Sequence, residues 1–569
     1  MTTRPDGRME SAEILRLRAA TRQLRLHLDT LPIVYDLDVP PEQFLAGKAF
    51  MLARQRYACA ESMIGAGFAG TVVGALARSL FNEGLRWLWI GEEPARRRRI
   101  LGDLREERNR LCVSFEKADV DAMGLARWLL PIPRVADLTG QSHSWIDVEP
   151  VTSEDELLRD FLAGQLGIVR QARGRVLLDM AGLRGAVMIL AHAGHGNYLG
   201  LQSSLTGDGV PAFDLRADHE ALFLQAAAAG VVSILLGSAA AVPEVWPAEI
   251  AMDAFLDEAV ALAEKVCDAA VALHGLSRVR KAPAQVGKAR RSDATTILRP
   301  LAAVIDDASY LPDLNSADAV VAAAEAFYEG VQAVSFDPWQ RREIVLQQML
   351  TFSGGRSLLE GVLATYNQPG SEVIAVCSAR MLLEEAARLA WRFAVTEDEF
   401  KARAKQYFDA FRAMRKSTID TLAGSGVQRA VAERLLAPPD GVLRDASADD
   451  IAKNRVPLPP IASMLRDFGV GFDEPGWLEV AYTLLSQVTH STPLGYLHLL
   501  HAGPVWGTGI SPELLALTLD VACTSSAHLI GHGALVLTDV SPEAVAYRKL
   551  LLAKAAAVHQ VARTVHWLD

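Results

Sequence analysis

One helical pattern, written twice, constrains this chain more than any other feature in it. "ARSLFNEGLRWLW" at 77–89 lies over "ARMLLEEAARLAW" at 379–391 without a gap, and Ala, Arg, Leu, Glu, Arg and Trp coincide. The same shift of 302 residues sets Phe50 over Phe352 and Arg54 over Arg356. Farther along, "PIPRVADL" (131–138) resembles "PLPPIASM" (457–464), and "ILAHAGHGNYLG" (189–200) resembles "LLSQVTHSTPLG" (484–495), which puts His195 over His490. The blocks keep one order in both halves while the shifts differ. That is the signature of a duplicated unit separated by insertions and deletions.

Within each copy, apolar residues recur every three and four positions, as in Ile14–Leu28, Phe44–Met63, Asp160–Leu178 and Phe255–Val271. Period-two alternation is rare, so the expected class is all-α. A chain of 569 residues exceeds one ordinary core. The expected organisation is a first helical bundle over 1–274, a basic linker over 275–299 and a second bundle over 300–569, packed as a pseudo-twofold pair. The linker carries six basic residues between Arg278 and Arg291 with Gly and Pro among them. It reads as a solvated connector in preference to a polyanion-binding segment.

Composition narrows the classes. The chain is 50% hydrophobic and 22% charged with a net charge of -11, which argues against a surface given over to nucleic acid. Five scattered cysteines without a C-x-x-C pair suit free thiols in a reducing cytoplasm. The first twenty residues mix acids and arginines and lack the apolar core of a secretory signal. The run 221–242 is uncharged and long enough to span a bilayer. It is rich in alanine, holds Gln225, Ser233 and Ser238, and its counterpart near 521–538 carries His528 and His532. Two buried core helices are therefore expected, with no membrane partner and a cytoplasmic location.

The repeated helix raises a question of charge. Arg78, Glu83, Arg86 and Trp89 fall within roughly 140° of one another on a helix, as do Arg380, Glu385, Arg388 and Trp391. Glu83–Arg86 and Glu385–Arg388 are spaced for salt bridges, and each Trp for stacking on the second Arg. Two arginines against one glutamate leave a positive charge to be answered by another side chain or by an anionic ligand. In the functional reading, Arg78, Arg86, Arg380 and Arg388 bind an anion while Glu83, His195, Glu385 and His490 handle protons. In the competing reading the stripes are ion-pair networks that hold helix register, which is the commoner use of such residues.

Other chemistry has no motif. Phosphate-loop, dinucleotide and nucleophile-elbow patterns are missing, and no cofactor is expected. His192/His195, His498/His501 and His528/His532 have ligand-like spacing, but the copies do not share them, and no metal is expected. "DDASYLPD" (306–313) and "DASADDIAKN" (445–454) read as loops and helix caps.

The order of an Arg–x4–Glu helix, a Pro-centred loop and a helix with a small residue and His resembles a bacterial all-helical family similar to HEPN-type bundles, over roughly 40–265 and 340–540. The resemblance implies a helical bundle acting on RNA, with an Arg and a His four to six residues apart on one helix. Arg22 and His27 have that spacing; 302 residues later stand Ala324 and Glu329, so the pair is not repeated. The expected function is a helical binding or effector protein whose partner is RNA, a nucleotide or another anionic ligand. The alternatives are an enzyme acting on an anionic small molecule and a scaffold without chemistry.

Overall fold

The computed structural model describes residues 11–32, 39–64, 70–119, 216–247, 250–276, 314–333, 343–368, 371–393, 396–424, 426–437, 458–469, 476–490, 492–501, 507–537 and 540–566, with 128, 148–153, 156–158, 187, 189–191 and 568. The protein is all-helical. Its only strand pairing among the described residues joins Leu500–His501 to Gly507–Thr508. His192, His195, the 131–138 loop, the 160–178 segment and linker residues 277–299 lie outside the described residues.

The first half holds α1 (Ala12–Asp29), α2 (Pro41–Ile64), α3 (Gly70–Gly91), α4 (Arg99–Ala118), α5 (Ala217–Ala241) and α6 (Met252–His274). The second holds α7 (Leu314–Gln332), α8 (Glu343–Thr365), α9 (Glu372–Phe393), α10 (Glu397–Gly424), α11 (Arg429–Leu435), α12 (Ile461–Gly469), α13 (Trp477–Thr489), α14 (Pro493–Leu497), α15 (Pro512–Leu537) and α16 (Pro542–His566). Local signals account for several boundaries. Ser11 caps α1 by accepting from the Ile14 amide at 3.3 Å, and Gly275 ends α6 at φ +73°, a conformation glycine takes freely.

Packing follows one scheme in each half. Helix α5 lies against α2, α3 and α6, and α1 packs on α6; α15 lies against α8, α9 and α16, and α7 packs on α16. Buried apolar side chains from both halves form one continuous cluster. The halves meet where α13 and α14 pack on α4, α14 reaches α2, and α9 touches α3.

The uncharged run is a core helix. Helices α5 and α15 are long and apolar enough to cross a membrane, but in the fold their most apolar windows are 100% and 89% buried. Helix α5 approaches α3 so closely that two glycines are obligatory. A Cβ on Gly237 would stand 2.2 Å from the Trp87 carbonyl, and one on Gly230 would stand 2.4 Å from Leu80 backbone. Leu80, Phe81, Trp87 and Leu88 are then fully covered by the partner helix. This explains why the repeated pattern leaves so little solvent face. Gly237→Ala should therefore cost about 1–3 kcal/mol or more through overpacking. Gly424→Ala, at a helix end with no neighbour within 4 Å, should be neutral or slightly stabilising. Urea unfolding of both variants checks this; equal effects would show that the α3–α5 contact is looser than described.

Candidate functional site

A cavity of about 520 Å³ opens where the halves meet, between α3 and α4 on one side and α13 on the other. Its charged and titratable lining comprises Arg86 from α3, Asp103, Glu106, Glu107 and Arg110 from α4, Tyr482 of α13 and His490 just past the end of α13. Asn82, Ser486, Thr152 and Ser153 add amide and hydroxyl groups.

Helix geometry places these groups. Asn82 and Arg86 are one turn apart on α3, as are Asp103 and Glu107 on α4, so each pair shares a face. Arg86 reaches Asp103 at 3.6 Å. Asp103 also accepts from the Val151 amide at 2.8 Å. Burial works to lower the Arg86 pKa, yet the nearby acidic groups, Asp103 first among them, together outweigh it and the guanidinium stays protonated. Burial raises the Asp103 carboxyl, with Arg86 pulling the other way.

Glu107 is the unusual group. Burial and the charge of Asp103 push its carboxyl up to about 8, against the opposing pull of the Leu494 amide and Arg86. That amide donates to Oε2 at 2.9 Å across 387 residues of sequence. Near neutral pH, Glu107 is thus largely a neutral acid in a solvent-reachable cavity. His490 is half-buried at the C-terminal end of α13, its amide bonded to the Ser486 carbonyl at 2.8 Å. Thr492 then caps α14 by accepting from the Gly495 amide at 3.2 Å, which fixes the chain just beyond the histidine.

The sequence-derived candidates divide. Arg86 and His490 meet in the cavity, but from opposite halves. Glu83 is not part of the lining: it is fully buried, paired with Arg56 of α2 at 3.1 Å and accepting a hydrogen bond from the Tyr496 hydroxyl of α14. Arg78 is half-buried on α3 outside the lining. In the second half, Glu385 pairs with Arg388, as its spacing predicts. Glu384 holds Arg380 and Arg388, each at 2.7 Å. Arg380 also donates to Ser486 at 2.9 Å and to the Tyr482 hydroxyl at 3.1 Å, so this network backs one cavity wall. His195 lies outside the described residues.

The expected stacking of Trp89 and Trp391 on the stripe arginines is replaced by contacts from residues farther along the chain. Arg96 sits 4.3 Å over Trp89 and Arg403 sits 5.5 Å over Trp391, each also donating to that tryptophan's carbonyl. Arg86, Arg380 and Arg388 are drawn instead toward carboxylates. Arg22 is exposed, whereas His27 stacks on Phe255 and contacts its carbonyl at 3.0 Å, so the two residues face different surroundings.

Among the late histidines, His498, His528 and His532 are driven by burial to about 4, with His498 packed beside Trp128 and His528 beside Phe468. Sequence reasoning missed Asp103, Glu107, Tyr482 and Tyr496. Asp103 and Glu107 carried an i,i+4 acidic signal on an amphipathic helix; the two tyrosines carried no local signal.

No family model, curated protein or solved structure matches this chain.

The raised Glu107 carboxyl has a signed consequence. Its contribution to stability is complete below the ordinary glutamate value and is lost as pH climbs toward 8, because only the unfolded chain then ionises freely. Glu107→Gln keeps the acceptor for Leu494 and removes that titration. The variant should gain on the wild type between pH 5 and 8 by up to a few kcal/mol, since each tenfold difference in proton affinity between the folded and unfolded chain is worth about 1.4 kcal/mol. Denaturant melts across that range check it; a pH-independent difference would mean that Glu107 ionises normally.

Proposed function

We propose that the cavity between the halves binds a small polar molecule through an anionic group held at Arg86, and that Glu107 and His490 act on it as proton donor and acceptor. The observation that carries this reading is the convergence of Glu107, Arg86 and His490 on one cavity, with burial and Asp103 pushing the Glu107 carboxyl up to about 8. Buried ion-pair networks shift carboxyls too, but a perturbed acid facing an open cavity beside a histidine is the arrangement acid–base chemistry requires. The acidic side chains of Asp103 and Glu106 in the lining disfavour a polyphosphate backbone. A compact ligand with one anionic group therefore fits better than RNA. The hydroxyl and amide groups around it suit a ligand that also carries hydroxyl or carbonyl groups.

The duplication belongs to the same proposal. Matching helix pairings in the two halves and the paired Arg–Trp contacts support two related bundles in a pseudo-twofold arrangement. In the alignment, Glu384 stands where the first half has Asn82. Glu384 pairs with both arginines of its own stripe, whereas Arg86 is answered by Asp103 of the neighbouring helix α4. The first stripe thus became a site and the second a supporting network. Free cysteines, four of the five buried, fit a protein of a reducing cytoplasm.

The test is thermal melting with a panel of carboxylates, phosphates, sugar phosphates and nucleotides. One anion class should raise the melting temperature of the wild type, as ligand linkage requires. Arg86→Gln and His490→Ala should lose that rise, and the ligand-free His490→Ala protein should stay within about 0.5 kcal/mol of the wild type. A panel without effect on the wild type would overturn the pocket and leave a scaffold held by buried charge.

A further inference from the structure

Away from the cavity, Asp520 of α15 is fully buried and faces two histidines of α16. His559 Nδ1 lies 2.7 Å and His566 Nε2 lies 3.0 Å from the same oxygen, Oδ2. One ligand atom from each of the three residues falls within 4.8 Å of the others. His559 and His566 are seven residues apart, two turns along one helix face, with the carboxylate reaching between them. Thr524 donates to the other carboxylate oxygen at 3.3 Å and so orients Asp520. Trp128 donates to the His566 carbonyl at 2.8 Å, and Trp477 stacks beside both imidazoles. The triad is therefore rigidly held from several directions, which is what an ordered coordination sphere needs.

We propose that Asp520, His559 and His566 form a site for a zinc-class transition-metal ion. Two imidazoles and one carboxylate are borderline ligands that favour zinc over magnesium or calcium, which take oxygen donors. His566 and Asp520 are fully buried while the His559 side chain is 24% exposed, so the fourth position faces the His559 side, where a water can complete a tetrahedron. Without metal, the Leu568 amide donates to His566 Nδ1 at 3.2 Å, so the ring proton sits on Nε2 and points at Asp520. Metal binding displaces that proton from Nε2. The neutral ring then carries its proton on Nδ1, and the Leu568 amide must turn away. Binding should thus loosen the chain at Leu568 while it staples α15 to α16. It should weaken as pH falls, because protons compete for both imidazoles.

The test uses chelator-treated full-length protein titrated with Zn²⁺ by calorimetry and with Co²⁺ by visible absorption. The expected result is one tight equivalent of Zn²⁺, a tetrahedral Co²⁺ spectrum that Zn²⁺ quenches, and no response to Mg²⁺. Asp520→Asn should lose the tight equivalent. His559→Ala, at the partly exposed ligand, keeps the test open if Asp520→Asn fails to fold, and should weaken Zn²⁺ binding at least tenfold. Loss of the site in either variant supports the proposal. Equal Zn²⁺ binding in wild type and His559→Ala, or no Zn²⁺ binding by the wild type, overturns it and leaves the triad a hydrogen-bonded clamp.

Discussion

The buried carboxylate of Glu83 is the point on which the junction of the halves depends. It has no access to solvent, so it must be answered inside the protein. Arg56 supplies the charge from α2, and Tyr496 supplies a hydroxyl from a helix 413 residues away. Together these contacts fix how α2 and α3 sit and dock α14 on the first half. The Leu494 amide, two residues before Tyr496, then meets Glu107, and the chain leading into α14 carries His490 to the opposite wall. The cavity follows from that docking: its walls come from helices far apart in sequence.

Low dielectric acts twice in this region. At Glu83 and Arg56 it strengthens the pair and makes the loss of either partner costly. At Glu107, where the charge of Arg86 is engaged by Asp103, the same burial disfavours ionisation and leaves a proton in place. Two carboxyls near the junction thus have different neighbours: Glu83 is paired with Arg56, whereas burial and Asp103 push the Glu107 carboxyl up. Helix α5 covers one side of α3 closely through Gly230 and Gly237, while Asn82 and Arg86 of α3 line the cavity.

Much of the architecture is legible in the sequence. The three-and-four periodicity identifies the helices, and Gln225, Ser233 and Ser238 mark the alanine-rich run as a buried helix. The Glu385–Arg388 pair follows from spacing, because both residues lie on one helix turn. The partners of the first stripe do not follow. Arg86 turns to Asp103 of the next helix, and Glu83 to Arg56 and Tyr496, since burial selects among charges that only the tertiary fold brings together. Spacing misassigns the tryptophan stacking for the same reason: Arg86 and Arg388 prefer carboxylates, so Arg96 and Arg403 take the indole faces. The Asp520–His559–His566 cluster is illegible because the histidines stand 39 and 46 residues from the aspartate and two turns from one another.

Buried contacts to α14 join the halves and build the cavity. A double-mutant cycle between Glu83→Gln and Tyr496→Phe, measured by denaturant unfolding of the full chain, tests it most directly. A coupling energy of about 1–3 kcal/mol is expected, as for polar partners in direct contact. Additive single effects, with a coupling near zero, would mean that α14 is not clamped on Glu83 and that the cavity is not held by the junction.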